Sequence, residues 1–495
     1  MPNILALDQG TTGSTALVVG EDGTILGRGY REIPQSYPAP GLVEHDAEML
    51  LHATVAAGRE ALTRAGVRVA AIGITNQRET VVLWDRATLA PVAPAIVWQD
   101  RRTATRCAEL RRSGAESAIR ARTGLLLDPY FSATKLEWLL RDPDFARRAA
   151  AGDLCAGTVE SWLVARLTGG EAHVSDVTNS CRTLLADLAT GDWDDEMLAL
   201  FEIPRQILPR VVPSAGVVGI ARTDWFGEPI PIAGLAGDQQ AALFGHGCVE
   251  PGAGKITYGT GAFLLRYSGD DIPPSPAPGV LATIAANASG RRAWALEGSV
   301  FIAGAAVQWL RDGLGLIASA AETAALAASV SDAGGVTFVP ALSGLGAPHW
   351  NAEARGIITG LTRGATRAHL VRATLEAIAQ SAADLVEVMG GVTVLRVDGG
   401  AAQNDWLMQY QADLLGRTVA RPEGIELTAF GAARLAAIGI GASLPAAADS
   451  GGGRIFEPSR DASWRNQARR DWSRAVDAAL AWAEWPDHSH AVAAR

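Results

Sequence analysis

The chain has 495 residues, 48% of them hydrophobic and 19% charged, with 43 basic against 53 acidic side chains for a net charge of -10. That length exceeds what one hydrophobic core organises and calls for two or three domains, while the lack of any run of roughly 18 apolar residues excludes a membrane-spanning helix. No Lys/Arg block forms a nucleic-acid footprint, and four scattered cysteines (Cys107, Cys155, Cys181, Cys248) without a C-x-x-C pair support neither a zinc site nor a disulfide framework.

Ile4 to Asp8 reads as a buried strand and Ala16 to Val19 as its hairpin partner, with Gln9 to Thr15 as a turn rich in Gly and Thr. No basic region followed by a long apolar stretch precedes Ile4, so no export signal is expected and a reducing, cytoplasmic setting fits. Residues 46 to 65 have helical periodicity. Val69 to Thr75 predicts a strand running into Asn76-Gln77-Arg78-Glu79-Thr80, and Val81 to Trp84 a further one. Strands and helices alternate onward, which predicts an α/β fold. Ile230 to Gly237 is another apolar strand, followed by a helix start at Gln239 to Phe244 and a linker at Gly245 to Gly254. Then Lys255-Ile256-Thr257-Tyr258-Gly259-Thr260-Gly261 and Phe263 to Tyr267 repeat the opening pattern of strand, Gly/Thr turn and strand. A duplicated domain with a cleft between its copies follows from that repeat. Four prolines between Pro273 and Pro278 require a loop. From Trp485 the chain carries no apolar period, and residues 486–495 are expected to be a disordered tail.

Asp8-Gln9-Gly10-Thr11-Thr12-Gly13-Ser14 lacks the G-K-[ST] of a Walker loop. Its glycines let backbone N–H groups converge on a phosphate and its hydroxyls can donate to one; a polar hairpin turn is the plainer alternative. Asp8 at the strand end can hold magnesium through water. Gly259-Thr260-Gly261 is a second such turn. Val397-Asp398-Gly399-Gly400, followed by a helix over Ala401 to Leu415, is a third candidate, with helix amides facing a nucleotide or simply a tight corner. Asp238 stands where a strand gives way to a helix, as an N-cap or as the general base of a phosphoryl transfer. Arg78 and Glu79 project at a strand's carboxyl end, where they form either a solvated salt bridge or a guanidinium and carboxylate suited to two neighbouring hydroxyls. Trp98 and Phe263 are core residues or cover a ligand's carbon edge.

Three stretches together resemble the FGGY carbohydrate kinases, over about residues 3 to 485. Gly73-Ile74-Thr75-Asn76-Gln77-Arg78-Glu79-Thr80 is similar to the form found in members that phosphorylate glycerol rather than xylulose or gluconate. Gly356 to Leu361 with His369-Leu370 and Ala373 to Glu376 is similar to one family signature, and Tyr130 to Leu139 to the other. The resemblance implies two actin-like, ribonuclease-H-like domains with a nucleotide and substrate cleft between them, residues 1–247 binding polyol and phosphate and 248–485 the nucleotide. It implies ATP-dependent phosphorylation of glycerol. Arg78, Glu79, Tyr130, Asp238 and Gln239 would hold glycerol, Trp98 and Phe263 would wall it, and Asp238 would be the base. Thr11, Thr12, Gly259 and Thr260 would meet the ATP phosphates, with Gly304, Gln308, Gly400 and Asn404 on the nucleoside side and Mg2+ near Asp8 and Asp238. A homodimer or homotetramer is implied, with no nucleic-acid partner and no membrane insertion.

Relatives usually carry Arg or Lys where this chain has Thr15, a cation placed to meet the transferring phosphoryl group. Gly219 to Pro231 also lacks the glycine-rich, arginine-bearing loop with which some relatives bind fructose 1,6-bisphosphate. Two rival readings are a kinase of another polyol or ketose, and an actin-like ATP clamp without an acceptor; retention of Arg78, Glu79 and Asp238 argues against the clamp.

Overall fold

The computed structural model describes residues 2–273, 277–287, 291–422, 426–446 and 452–484. The expected tail at 486–495 and the middle of the Pro273–Pro278 loop lie outside the described residues. Among those described, no helix is long and apolar enough to cross a membrane.

The fold is α/β with two sheet-rich domains. The first sheet uses β1 (Ile4–Gln9), β2 (Gly13–Val19), β3 (Ile25–Glu32), β4 (Ala71–Asn76) and β5 (Ile230–Gly237), with Ala215–Ala221 beyond β5 at the edge. The second uses β6 (Ala253–Tyr258), β7 (Ala262–Gly269), β8 (Trp294–Val300), β9 (Val394–Asp398) and β10 (Val419–Pro422), with Leu281–Ile284 and Gly453–Phe456 at its edges. Their orders are equivalent: β3-β2-β1-β4-β5 in one and β8-β7-β6-β9-β10 in the other. In each, the first three strands form an antiparallel meander and the last two join in parallel. The repeat of Gly/Thr turns therefore marks a repeat of topology. The first turn is tighter than the sequence predicts: pairing runs on to Gln9 and Ser14, leaving Gly10 to Thr12 between the strands.

β1 is buried on both faces, which is why Ile4 to Leu7 reads as an uninterrupted apolar run. One face meets α1 (Ala47–Ala65). Asp46 caps this helix through Glu48 and Met49 amides, and Gly66 closes it at φ 64°. Close approach is made possible by Gly29, where a Cβ would stand 2.0 Å from the carbonyl oxygen of Ala57. The other face is covered by a helix from far along the chain, α3 (Leu427–Gly439), whose Phe430, Ala433 and Ala437 pack with Ile4, Ala6, Leu17 and Val19. The exchange is reciprocal. Leu243 of α2 (Asp238–Gly245), which directly follows β5, packs with Ala253, Leu265 and Ala295 of the second sheet. The two helices touch through glycine, a Cβ at Gly431 falling 1.9 Å from the carbonyl oxygen of Ala241. Each domain is thus finished by a helix rooted in the other.

The helix expected over Ala401 to Leu415 divides in two. A 3-10 turn spans Ala401–Gln403, and an α-helix begins at Asp405 with Asn404 as its cap. The Asn404 side chain accepts from the Leu407 amide at 3.1 Å, which local capping favours over continuing a single helix.

Candidate active site

β1, β4 and β5 run parallel, with Asp8 beside Thr75 and Thr75 beside Ala236. Asp8, the pair Arg78-Glu79 and Asp238 therefore leave one edge of the sheet together, the carboxyl end at which ligands sit in α/β folds. A regular strand would point Arg78 and Glu79 to opposite sides. Glu79 instead adopts φ 64°, and its carbonyl is held by the Ser132 hydroxyl at 2.9 Å. That left-handed turn, costing about 1–2 kcal/mol for a residue with a Cβ, brings both charged groups inward. Both are buried, at 3% and 1% exposure, which overturns the reading of a solvated salt bridge. Gly237 makes room for the arginine stem: a Cβ there would lie 2.7 Å from its Cγ and Cδ.

Two residues that the sequence does not single out complete the charge cluster. Glu297 on β8 receives Arg78 through both guanidinium nitrogens, at 2.6 and 2.9 Å, and Arg182 at 3.0 Å. Arg182 also donates to Glu79 at 2.7 Å. Glu297 belongs to the second sheet and both arginines to the first domain, so this buried network joins the two. Burial raises Glu297, but Arg182 and Arg78 outweigh it and hold the carboxyl down to about 2. In Glu79 the balance reverses, burial lifting its carboxyl against the same two arginines. A signal for Glu297 does exist in the sequence, an acid inside the apolar strand Trp294-Ala295-Leu296-Glu297-Gly298. Its partners lie 219 and 115 residues away, beyond any local pattern.

Asp238 is the first residue of α2, not its cap. Gly237 holds the cap position, and the Asp238 carboxylate accepts from the Gln239 amide at 2.7 Å and lies 3.2 Å from Arg78 Nε. Burial raises its pKa, while Arg78 and Lys255 pull it back. Asp8 is raised well above the usual carboxylate range by burial and by the charges of Asp238 and Glu426. Thr15 pairs with Asp8 on one side and Tyr30 on the other.

The aromatic residues assemble on the first domain's side. Trp98 and Tyr130 meet edge to face with centroids 5.4 Å apart, and the Trp98 indole donates to the Thr11 hydroxyl at 3.0 Å. Lys135 fixes the backbone under Tyr130, donating to its carbonyl at 2.8 Å and to that of Phe131 at 3.1 Å. Phe263 comes from β7 and is half-buried. In the second domain three glycine segments converge. Gly304 donates to the Gly259 carbonyl at 2.9 Å, the Ala303 and Ala305 amides donate to that of Thr260, and Gly399 presses on the backbone of Tyr258. Gln308 and Gly400 lie exposed near these segments, whereas Asn404 spends its side chain on the helix cap and on Thr323, 3.0 Å away. Thr12 accepts the Ile33 amide through its carbonyl, leaving its hydroxyl at the turn.

The family descriptions "FGGY family of carbohydrate kinases, N-terminal domain" and "C-terminal domain" match residues 3–245 and 254–440. The glycerol kinase of Alkalilimnicola ehrlichii is 52% identical over 98% of this chain and its own full length, and that of Rhodopirellula baltica 50% over 97% of this chain and 91% of its own. Among solved structures, Plasmodium falciparum glycerol kinase with ADP superimposes with a TM-score of 0.92 at 33% identity, covering 97% of this chain and 98% of that one. Xylulose kinase from Rhodospirillum rubrum does so with a TM-score of 0.86 at 27% identity, covering 98% of this chain and 100% of that one. The shared architecture and the full-length identity agree, and the chain belongs to the FGGY family of carbohydrate kinases.

Proposed function

We propose that this protein transfers the γ-phosphoryl group of ATP to a terminal hydroxyl of glycerol, forming glycerol 3-phosphate and ADP. The observation that carries this reading is the Arg78, Glu79 and Asp238 group, drawn together at the sheet edge beside the Gly/Thr turn. A guanidinium and a carboxylate side by side suit a vicinal diol, whose hydroxyls each donate and accept. Trp98, Tyr130 and Phe263 suit its carbon edge. Glycerol kinases 50–52% identical over nearly the whole chain support this acceptor. Residues 1–247 would hold the polyol and phosphates and residues 248–485 the nucleotide, with Gly304, Gln308, Gly400 and Asn404 on the nucleoside side.

In this reading Asp238 accepts the hydroxyl proton as the oxygen attacks phosphorus in line. Burial raises its pKa yet Arg78 keeps it ionisable, the balance wanted in a base that must take a proton only as the bond forms. Amides of the turns at Gly10 to Gly13 and Gly259 to Gly261 orient the phosphates, and closure of the cleft excludes water. Asp8 and Asp238 fit magnesium, because a divalent cation would offset the burial and the repulsion from Asp238 that together raise Asp8. Magnesium so placed would keep most of its water and phosphate ligands, as this hard ion does. Magnesium would supply charge neutralisation at the phosphates. A cytoplasmic homodimer or homotetramer accords with this reading.

The test is ADP release with and without glycerol, in a coupled assay across glycerol, dihydroxyacetone, erythritol and xylulose. Glycerol should give the highest kcat/KM, and Asp238→Asn should lower kcat by about 100-fold or more. No dependence on glycerol at millimolar concentration would sink the assignment.

A further inference from the structure

Lys255 takes no part in the reaction as set out above, yet it sits at its centre. Among the described residues four cationic side chains are buried: Arg78, Lys135, Arg182 and Lys255. The two arginines meet carboxylates and Lys135 meets backbone carbonyls. Lys255, with 0% exposure, instead donates to Oε1 of Gln239 at 2.5 Å and to Oγ1 of Thr257 at 2.9 Å. It stands on β6, which leads into the Gly259 turn, and reaches across to α2 of the other domain.

An ammonium carries three donors and no acceptor. Facing Lys255, the Gln239 amide must therefore present its oxygen, and the planar amide then directs its NH2 group away from the lysine. Among the described residues that NH2 has no hydrogen-bond partner. Its neighbour in sequence is Asp238, a proton acceptor. A hydroxyl that gives its proton to Asp238 can take a further hydrogen bond only as an acceptor, at the lone pair not used in attack, and an inverted amide would offer it a second acceptor instead. The lysine is itself anchored. Thr257 accepts from Lys255 and in turn donates to Asp398, which also takes the His246 Nε2 proton at 2.8 Å. Every bond from His246 and Lys255 thus has one possible direction.

We propose that Lys255 is a positioning residue which locks the Gln239 amide with its NH2 toward the acceptor hydroxyl, and so sets the hydrogen-bond polarity beside Asp238. The inference rests on the glycerol reading above. It makes Lys255 and Gln239 one unit, belonging to the polyol side although the lysine comes from the nucleotide domain.

A double-mutant cycle on the full chain tests this, with kcat and the KM values for glycerol and ATP measured for wild type, Lys255→Met, Gln239→Ala and the double variant. Each single change should raise the glycerol KM about tenfold, the cost of one hydrogen bond to a polar ligand, with the ATP KM within about twofold. In the Gln239→Ala background Lys255→Met should add less than about twofold. Lys255→Arg, a donor-only cation, should restore most of the glycerol KM. Multiplying effects in the double variant, or a Lys255→Met that changes only the ATP KM, would overturn the proposal. Should Lys255→Met fail to fold, Gln239→Glu decides. It keeps the bond to Lys255 and removes the NH2 donor, so a wild-type glycerol KM in that variant refutes the role. A wild-type protein without glycerol-dependent turnover would instead overturn the function, which keeps the two failures apart.

Discussion

The two Gly/Thr turns occupy equivalent places in equivalent sheets, but they are held differently. In the first, Gly10 donates to the Gly13 carbonyl at 2.9 Å, the Ile33 amide donates to the Thr12 carbonyl, and side chains lie against the turn: the Trp98 indole on Thr11, and the Tyr30 ring over Gly13. In the second, Gly259 donates to the Gly261 carbonyl at 2.8 Å and the surroundings are backbone: the amides at 303 to 305 and the glycine corner at 399. Side chains can be exchanged singly, whereas backbone packed on backbone admits only glycine. Thr15, where the family resemblance leads one to expect Arg or Lys, lies on β2 three residues past the first turn.

The sharpest way to break that comparison is Gly399→Ala. Gly399 has φ 87°, and a Cβ there would stand 2.4 Å from the Tyr258 carbonyl oxygen. Neither the backbone angle nor the neighbour can yield cheaply. The two costs together come to about 2–4 kcal/mol, and the strain falls on the strand that ends in the second turn. Thermal unfolding should show a clear drop in Tm, and the ATP KM should rise at least about tenfold. A variant with wild-type Tm and ATP KM would mean that this corner is soft and that the contrast between the turns is wrong.

Thr15→Arg probes the other side of the comparison. Thr15 shares a sheet face with Asp8 and Tyr30, and the next cation on that face is Arg28, paired to Glu426 at 2.7 Å with its guanidinium 5.9 Å from the Tyr30 ring centre. An arginine at 15 would stand beside a carboxyl already raised by burial and by two neighbouring carboxylates. It would also supply charge near the phosphates. The expected result is a rise in kcat of about tenfold, below the roughly 100-fold that such a donor is worth when preorganised, because Tyr30 occupies part of its path. An unchanged or lower kcat with substrate binding intact would show that the position lacks nothing.

What could be read without coordinates follows the same division between local and distant. The strands, the turns and the residues Asp8, Arg78, Glu79 and Asp238 lie in contiguous motifs whose apolar runs and glycines carry their meaning within about ten residues. Arg182, Glu297 and Lys255 each depend on at least one partner in the other domain, more than a hundred residues away for the first two. The sequence of α3 does not say which sheet it covers, and it covers the first. Nor does any propensity announce that Glu79 turns left-handed, since the cause is the convergence of charges that the turn serves. The division of the segment after Gly400 reflects a choice between capping by Asn404 and continued helix, a difference of about 1 kcal/mol that local pattern does not resolve.

Gly13→Ala carries the smallest expected effect and is the most discriminating. By the numbers it looks as severe as Gly399→Ala, since a Cβ at Gly13 would lie 2.5 Å from the Tyr30 hydroxyl oxygen. The obstruction differs in kind. Gly13 has no left-handed φ to lose, and the obstacle is the far end of a ring on an edge strand that is 43% exposed and free to turn toward water. The cost should be at most about 1 kcal/mol, that of displacing one surface rotamer, with kcat and the ATP KM within about twofold of wild type. Tyr30→Ala should remove what cost remains when combined with it. If Gly13→Ala proved as damaging as Gly399→Ala, and Tyr30→Ala did not rescue it, the first turn would be as rigid as the second.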